Sequence, residues 1–279
     1  MRNLPFPSVK MIDFIDTISN YTDIEKKDRF KTYKGYILLQ ERLYFLRAND
    51  NKFNFISLGN PIEDKISTTE FKELYDRKFV GGNGRTLYNT IFNSTKICPT
   101  CLLRGIDQVD HFLPKSKYPL YSVSPFNLVP ICEKCNGFKS AKDANTFTFI
   151  HPYFHKLIDF AWLKARIYIE SNIIGFNYFI DIPDTLENHI ELEKEITEHI
   201  KTLKLLPLYN STASGLHANM HSIFSNMYKA GGEDIVLELF KSYYEMNCKL
   251  GTLNSFEAVF YKSLIDYDYI NNYLVHNQL

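Results

Sequence analysis

Residues 98–139 read CPTCLLRGIDQVDHFLPKSKYPLYSVSPFNLVPICEKCNGFK. Two Cys-x-x-Cys pairs, Cys98/Cys101 and Cys132/Cys135, stand 30 residues apart and enclose an Asp-His pair at 110 and 111. Two such pairs supply four thiolates, the closed tetrahedral coordination that suits structural zinc and leaves no open position for chemistry. With Cys248 the chain has five cysteines, and an odd count with four in two pairs points to metal ligation in a reducing compartment rather than to disulfides. The separation exceeds that of a compact zinc ribbon. Something is therefore built between the pairs, in the segment that holds Asp110, His111, Pro114 and the run PFNLVP at 125–130.

Outward from this stretch, 279 residues with a 45% hydrophobic fraction can bury a sizeable core. The 32 basic and 32 acidic residues cancel, so no global field draws the chain to nucleic acid or to an anionic membrane, and any such attraction must be local. There is no apolar run long enough to span a bilayer and no secretory leader pattern, which together place the protein in the cytoplasm without a membrane partner.

Three zones follow: a helical region over 1–95, a metal-bearing segment over 96–150, and a β-hairpin plus helices over 151–279. In the first, Val9, Ile12, Ile15 and Ile18, then Phe30, Tyr33, Tyr36, Ile37, Leu43 and Leu46, recur at helical spacing and predict two helices. A short extended piece near 53–58 precedes Ser67, which with Glu70 forms a capping box for a helix ending near Gly81-Gly82. A further helix is expected over 85–92. In the third zone, 166–170 and 176–181 have the aromatic alternation of a hairpin around Asn172 to Gly175, and helices are expected over about 185–205, 208–229, 232–249 and 254–274. His189, His199, His217 and His221 read as helix-surface residues, and HPYFH at 151–155 as a packing latch.

The central segment resembles the HNH endonucleases, which are built on the ββα-metal (His-Me) finger. Asp110-His111, Asn127 in PFNLVP and Asn136 directly after Cys135 fall in that family's order, and the four cysteines match its zinc-bearing branch, which includes phage Holliday-junction resolvases. The final position is Asn where many members have His. The resemblance covers about 96–143. It implies an α+β, mostly helical protein with a central zinc-stabilised ββα-metal finger between helical N- and C-terminal flanks, and a metal-dependent endonuclease that hydrolyses DNA phosphodiester bonds. The stretch from Asp110 to Ser140 is also similar to the HNH subunits of bacterial antiphage systems of the Septu type. That likeness implies a defence effector acting with an ATPase partner subunit; this chain has no GxxxxGK[ST] motif of its own.

The chemistry fits these positions. Phosphodiester hydrolysis needs a proton acceptor for water and a cation for the phosphate oxygens. A neutral His111 suits the first task near pH 7. Asn127 would orient the loop or the imidazole, and Asp110 and Asn136 offer the oxygen donors that Mg²⁺, or Mn²⁺ in its place, prefers. Cys98, Cys101, Cys132 and Cys135 would hold Zn²⁺. From Arg104 to Lys142 six basic residues outnumber three acidic ones, and Lys115, Lys117 and Lys139 are the expected phosphate contacts. The large helical flanks suit DNA, a partner or self-association into a homo-oligomer. The competing reading is a zinc-stabilised nucleic-acid or protein binding module without catalysis.

Overall fold

Phe30, Ile37, Glu41, Tyr44 and Ala48 are buried at intervals of three, four and seven residues, so they form one face of a long helix, α2 (Ile24–Asn49). Asp23 starts it, its side chain accepting from the Lys26 amide at 3.1 Å. It follows α1 (Met11–Ile18), in which Met11, Ile15 and Ile18 are buried among the described side chains; Ile12 and Leu46, expected on the inner faces, lie outside. The computed structural model describes residues 3–140, 150–155, 160–171, 173–184, 189–250 and 252–277. The chain divides into two units, Asn3–His155 and Lys156–Leu279. The helices of the first zone and the four-cysteine segment thus share one unit.

The piece expected to be extended near 53–58 instead opens with a 3₁₀ turn, Phe53–Phe55, entered through Asn51 at φ 56°. Both halves of the Ser67/Glu70 capping box are present at the start of α3 (Thr68–Glu73). The helix then widens into a π-helical segment, Leu74–Val80, which turns Leu74, Tyr75 and Phe79 inward. It stops where the backbone closes on itself: a Cβ on Gly84 would meet the Phe79 Cα at 2.8 Å, so only glycine fits. Helix α4 (Arg85–Phe92) follows as expected.

Strands β1 (Gln108–His111) and β2 (Leu128–Ile131) pair antiparallel with Val109 opposite Pro130 and His111 opposite Leu128. Helix α5 (Glu133–Lys139) leaves β2 at once, with Cys132 as its N-cap. A two-stranded sheet this short is marginal alone. The outer edge of β1 is closed by two hydroxyls: Val109 donates its N–H to Tyr88 Oη at 3.1 Å, and Tyr75 Oη donates to the Val109 carbonyl at 3.1 Å.

In the second unit β3 (Leu163–Glu170) pairs with β4 (Ile173–Ile180), so the reversal falls between Glu170 and Ile173 and Gly175 lies within a strand, opposite Tyr168. The hairpin is earlier and longer than expected; Asn172 lies outside the described residues. Helices α6 (His189–Thr202), α7 (Leu205–Leu250), α8 (Phe256–Asp266) and α9 (Tyr269–Asn272) complete the unit. Helix α7 is broken at Gly232, which takes φ 76° and ψ −165°. The single helix expected over 254–274 is divided at Asp268, a left-handed residue. Its core stacks Tyr178 on Phe256, and Asn254 Oδ1 accepts from the amides of Trp162 and Leu163 at 2.7 and 2.9 Å.

Two of the histidines expected on helix surfaces, His199 and His217, are buried. Tyr269 Oη lies 2.9 Å from both His217 Nε2 and His221 Nδ1, and His221 Nε2 donates to the Asn277 carbonyl at 2.8 Å. These rings fasten the end of the chain to α7. The side chain of His189 lies outside the described residues. Among the described residues no helix is long and apolar enough to cross a membrane.

Glu41 is the charged group buried in the α2 face, where it accepts from Ser124 Oγ at 2.9 Å. Burial, with Asp13 nearby, pushes its carboxyl up to about 7 from 4.5. The folded chain therefore keeps a proton that the unfolded chain has released. The Glu41 contribution to stability falls as pH rises from 4.5 towards 7 and is level above. Glu41→Gln can keep the Ser124 bond without the charge. It is expected to melt higher than the parent at pH 8, by on the order of 2 kcal/mol, with the gain vanishing near pH 4. Thermal melts of both proteins at the two pH values test this, and an equal gain at both refutes it.

Candidate functional site

Cys98, Cys101, Cys132 and Cys135 are buried, carry free thiols and bring their sulfurs within 4.8 Å of one another. Zinc–sulfur bonds of about 2.3 Å arranged tetrahedrally separate the sulfurs by about 3.8 Å. The Cys101–Cys132 pair is already at 4.0 Å, so the four can bind a zinc ion. The knuckles are shaped by the backbone. Leu102, at φ 52°, turns its amide back to the Cys98 carbonyl at 2.8 Å, and the Cys135 amide donates to Cys132 Sγ at 3.4 Å. A hydrogen bond from Cys132 holds the Cys101 thiol far below its ordinary range. Burial disfavours the Arg104 guanidinium, but the neighbouring Cys101, Cys132 and Cys135 outweigh it and raise its pKa, so a cation lies beside the thiols.

At the end of β1, His111 Nε2 is 2.8 Å from the Ser122 carbonyl oxygen. A carbonyl only accepts, so Nε2 carries the hydrogen and Nδ1 keeps its lone pair. Ser122 is itself fixed, its hydroxyl donating to the Phe71 carbonyl at 3.1 Å. Burial lowers the His111 pKa to about 4 against the opposing pull of Asp110, so the imidazole is neutral near pH 7.

Asn127 is wholly buried and its amide is saturated. Oδ1 accepts from the Leu113 amide at 2.7 Å and from Tyr44 Oη at 3.2 Å; Nδ2 donates to the carbonyls of Leu113 and Tyr121 at 3.0 and 3.1 Å. It therefore closes the loop between the strands. Of the two tasks left open by the sequence, orienting the loop or orienting the imidazole, its described bonds serve the loop.

Asp110 Oδ2 pairs with the Lys139 ammonium at 2.7 Å, and Lys139 also donates to the His111 carbonyl. Lys139 is only 4% exposed, so the lysine expected to touch phosphate is engaged inside the site, tying α5 to β1. Asn136 lies half-buried one turn earlier on α5. Lys115 pairs with Asp76 and sits 4.6 Å from the centre of the Tyr75 ring; Lys117 is half-buried, its carbonyl accepting from the Gly59 amide at 2.8 Å. Lys142 lies outside the described residues. His151 and His155 are buried among aromatic rings, each holding backbone amides.

Three tyrosines that the motif does not contain complete the surroundings: Tyr44 on Asn127, Tyr88 on Val109, and Tyr75 on both Val109 and the His111 ring, 4.3 Å away between centroids. All come from the helical region before residue 95. None of the three stands out in the sequence, and nothing local marks their hydroxyls.

No protein-family model matches the chain, and no solved structure matches it. Protein ea31 of Escherichia phage lambda is 26% identical over 229 residues, 76% of each chain. Septu protein PtuB of Bacillus thuringiensis is 44% identical over 45 residues, which is 16% of this chain and 18% of that protein. The chain is thus similar to a phage protein along most of its length and, over one short stretch, to a Septu protein.

Proposed function

We propose that the protein is a metal-dependent HNH endonuclease that hydrolyses DNA phosphodiester bonds, with β1, β2 and α5 as its ββα-metal finger. The observation that carries the reading is the state of His111: neutral, its Nε2–H spent on the Ser122 carbonyl, and its Nδ1 lone pair left as a base beside Asp110. In this reading Nδ1 accepts the proton of a water as that water attacks phosphorus and the P–O bond opposite breaks. Asn127 holds the loop that carries the Ser122 carbonyl, so it fixes the imidazole indirectly. Asp110 and Asn136 would hold Mg²⁺ or Mn²⁺, which offsets charge on the phosphate oxygens and leaving group. Cys98, Cys101, Cys132 and Cys135 hold one Zn²⁺ as a structural pin. Lys115 and Lys117 lie on the loop that would meet the DNA backbone, while Lys139 serves Asp110. The short likeness to Septu protein PtuB supports a role in antiphage defence beside an ATPase partner. Cytoplasmic residence fits that role, and two copies acting together would cut both strands.

One observation favours a second reading. Lys139 satisfies the Asp110 carboxylate without a metal, as it would in a zinc-held module that binds nucleic acid or protein and does not cut. Incubating the purified chain with supercoiled plasmid and Mg²⁺ or Mn²⁺ separates the two.

Elemental analysis should give about one zinc per chain, and Cys135→Ser should lose that zinc and lower the melting temperature, since binding energy of a structural zinc is folding energy. A zinc-free wild-type protein of normal stability would rule out the four-thiolate site. His111→Ala should retain zinc, fold and DNA affinity yet cut plasmid at least about a hundredfold more slowly. Asp110→Asn should be slowed as well but respond to raised Mn²⁺, because it weakens metal binding and leaves the base in place. Cleavage by His111→Ala at the parent rate would sink the mechanism.

A further inference from the structure

Tyr75 touches the site twice. Its hydroxyl closes the edge of β1 at the Val109 carbonyl, and its ring packs against the His111 imidazole with centroids 4.3 Å apart and planes inclined at 61°. The residue is 7% exposed. It sits in the π-helical segment Leu74–Val80, and it is braced from beyond by Lys115, whose ammonium is 4.6 Å from the ring centre and paired with Asp76. Burial pushes the Tyr75 phenol well above its ordinary value, so it stays a donor to Val109. Phe79 stacks on it from the next turn, with ring centres 5.7 Å apart.

An imidazole free to turn over about its Cβ–Cγ bond would put Cε1 in the place of Nε2 and Cδ2 in the place of Nδ1, so Nε2–H would lose the Ser122 carbonyl that fixes the tautomer. A ring pressed against one flank restricts that rotation, and here the pressing ring is itself fixed by a hydrogen bond at its far end. We infer that Tyr75 is a positioning residue: it holds the His111 imidazole with Nε2–H on the Ser122 carbonyl and Nδ1 unprotonated, so the helical region before residue 95 supplies part of the catalytic geometry. The inference rests on the nuclease reading for its consequence in rate; its consequence for the imidazole does not depend on that reading.

The two consequences are measured separately on the zinc-loaded full chain. Long-range ¹H–¹⁵N correlations of the histidine ring report which nitrogen of His111 carries hydrogen, and plasmid cleavage with Mn²⁺ gives kcat and KM. Tyr75→Phe keeps the ring and loses only the bond to Val109. It should melt slightly lower while the His111 tautomer stays as in the parent. Tyr75→Leu removes the ring. His111 should then show a mixture of tautomers, and kcat should fall about tenfold to a hundredfold with KM within about twofold. Tyr75→Met, close in volume and also without a ring, replaces the leucine variant should that one fail to fold. A ringless variant that folds, binds zinc and keeps the pure Nε2–H tautomer overturns the inference, whatever its rate. So does one whose tautomer changes while kcat does not. If His111→Ala cuts like the parent, it is the nuclease reading that fails, and the tautomer readout alone then supports or overturns the hold of Tyr75 on the imidazole.

Discussion

Four thiols brought within 4.8 Å of one another are the constraint on which the first unit depends. Strands of four residues and a helix of seven bury too little to hold their own arrangement. The cysteines fix the points where the segment begins and where β2 passes into α5. Once those points are fixed, β1 must lie against β2, and α5 must start where Lys139 can reach back to Asp110 and the His111 carbonyl. The loop between the strands is then pinned by Asn127, whose one amide makes four hydrogen bonds. The cysteines thus shape the segment, and the polar residues they frame, Asp110, His111 and Asn127, make hydrogen bonds of their own within it.

The helices that precede this segment act as its wall. Tyr44 of α2, Tyr75 of the π-helical segment and Tyr88 of α4 each end a long side chain on a polar group of the strand-loop-strand region. The hydroxyls of Tyr75 and Tyr88 meet outward groups of Val109, where the cost of an unmade buried bond exceeds the gain of a made one, and Tyr44 adds a second bond to an Asn127 Oδ1 that already accepts from the Leu113 amide. Their aromatic bodies meanwhile fill the interior, as with Tyr44 against Tyr121 and Phe53. One residue type thus supplies both packing and hydrogen bonds.

What could be read in the sequence was whatever is written in short spacings. The paired cysteines, the Ser67/Glu70 cap and the glycines after Val80 each occupy a few consecutive positions, and each is found where the spacing puts it. What could not be read depends on partners far along the chain. Lys139 meets Asp110 across 29 residues and Tyr75 meets Val109 across 34, and no pattern within a helix distinguishes these side chains from ordinary core or surface ones. The reversal of the second unit's hairpin was misplaced because IIGFNYFI is apolar on both faces, so alternation does not show where the strand begins. His217, expected on a helix surface, is buried against a partner, Tyr269, that lies about fifty residues on.

The closed edge of β1 has a consequence for association. An open strand edge is a template on which another chain can lay its own backbone, and short sheets with exposed edges are where stray pairing and aggregation start. Here both outward groups of Val109 are already occupied by side chains from the same unit. A foreign strand approaching along β1 would have to displace two buried phenols for the same two bonds, with no net gain in hydrogen bonding and a loss of packing. Along this border the outward groups of Val109 are already spent within the unit, which disfavours strand pairing there.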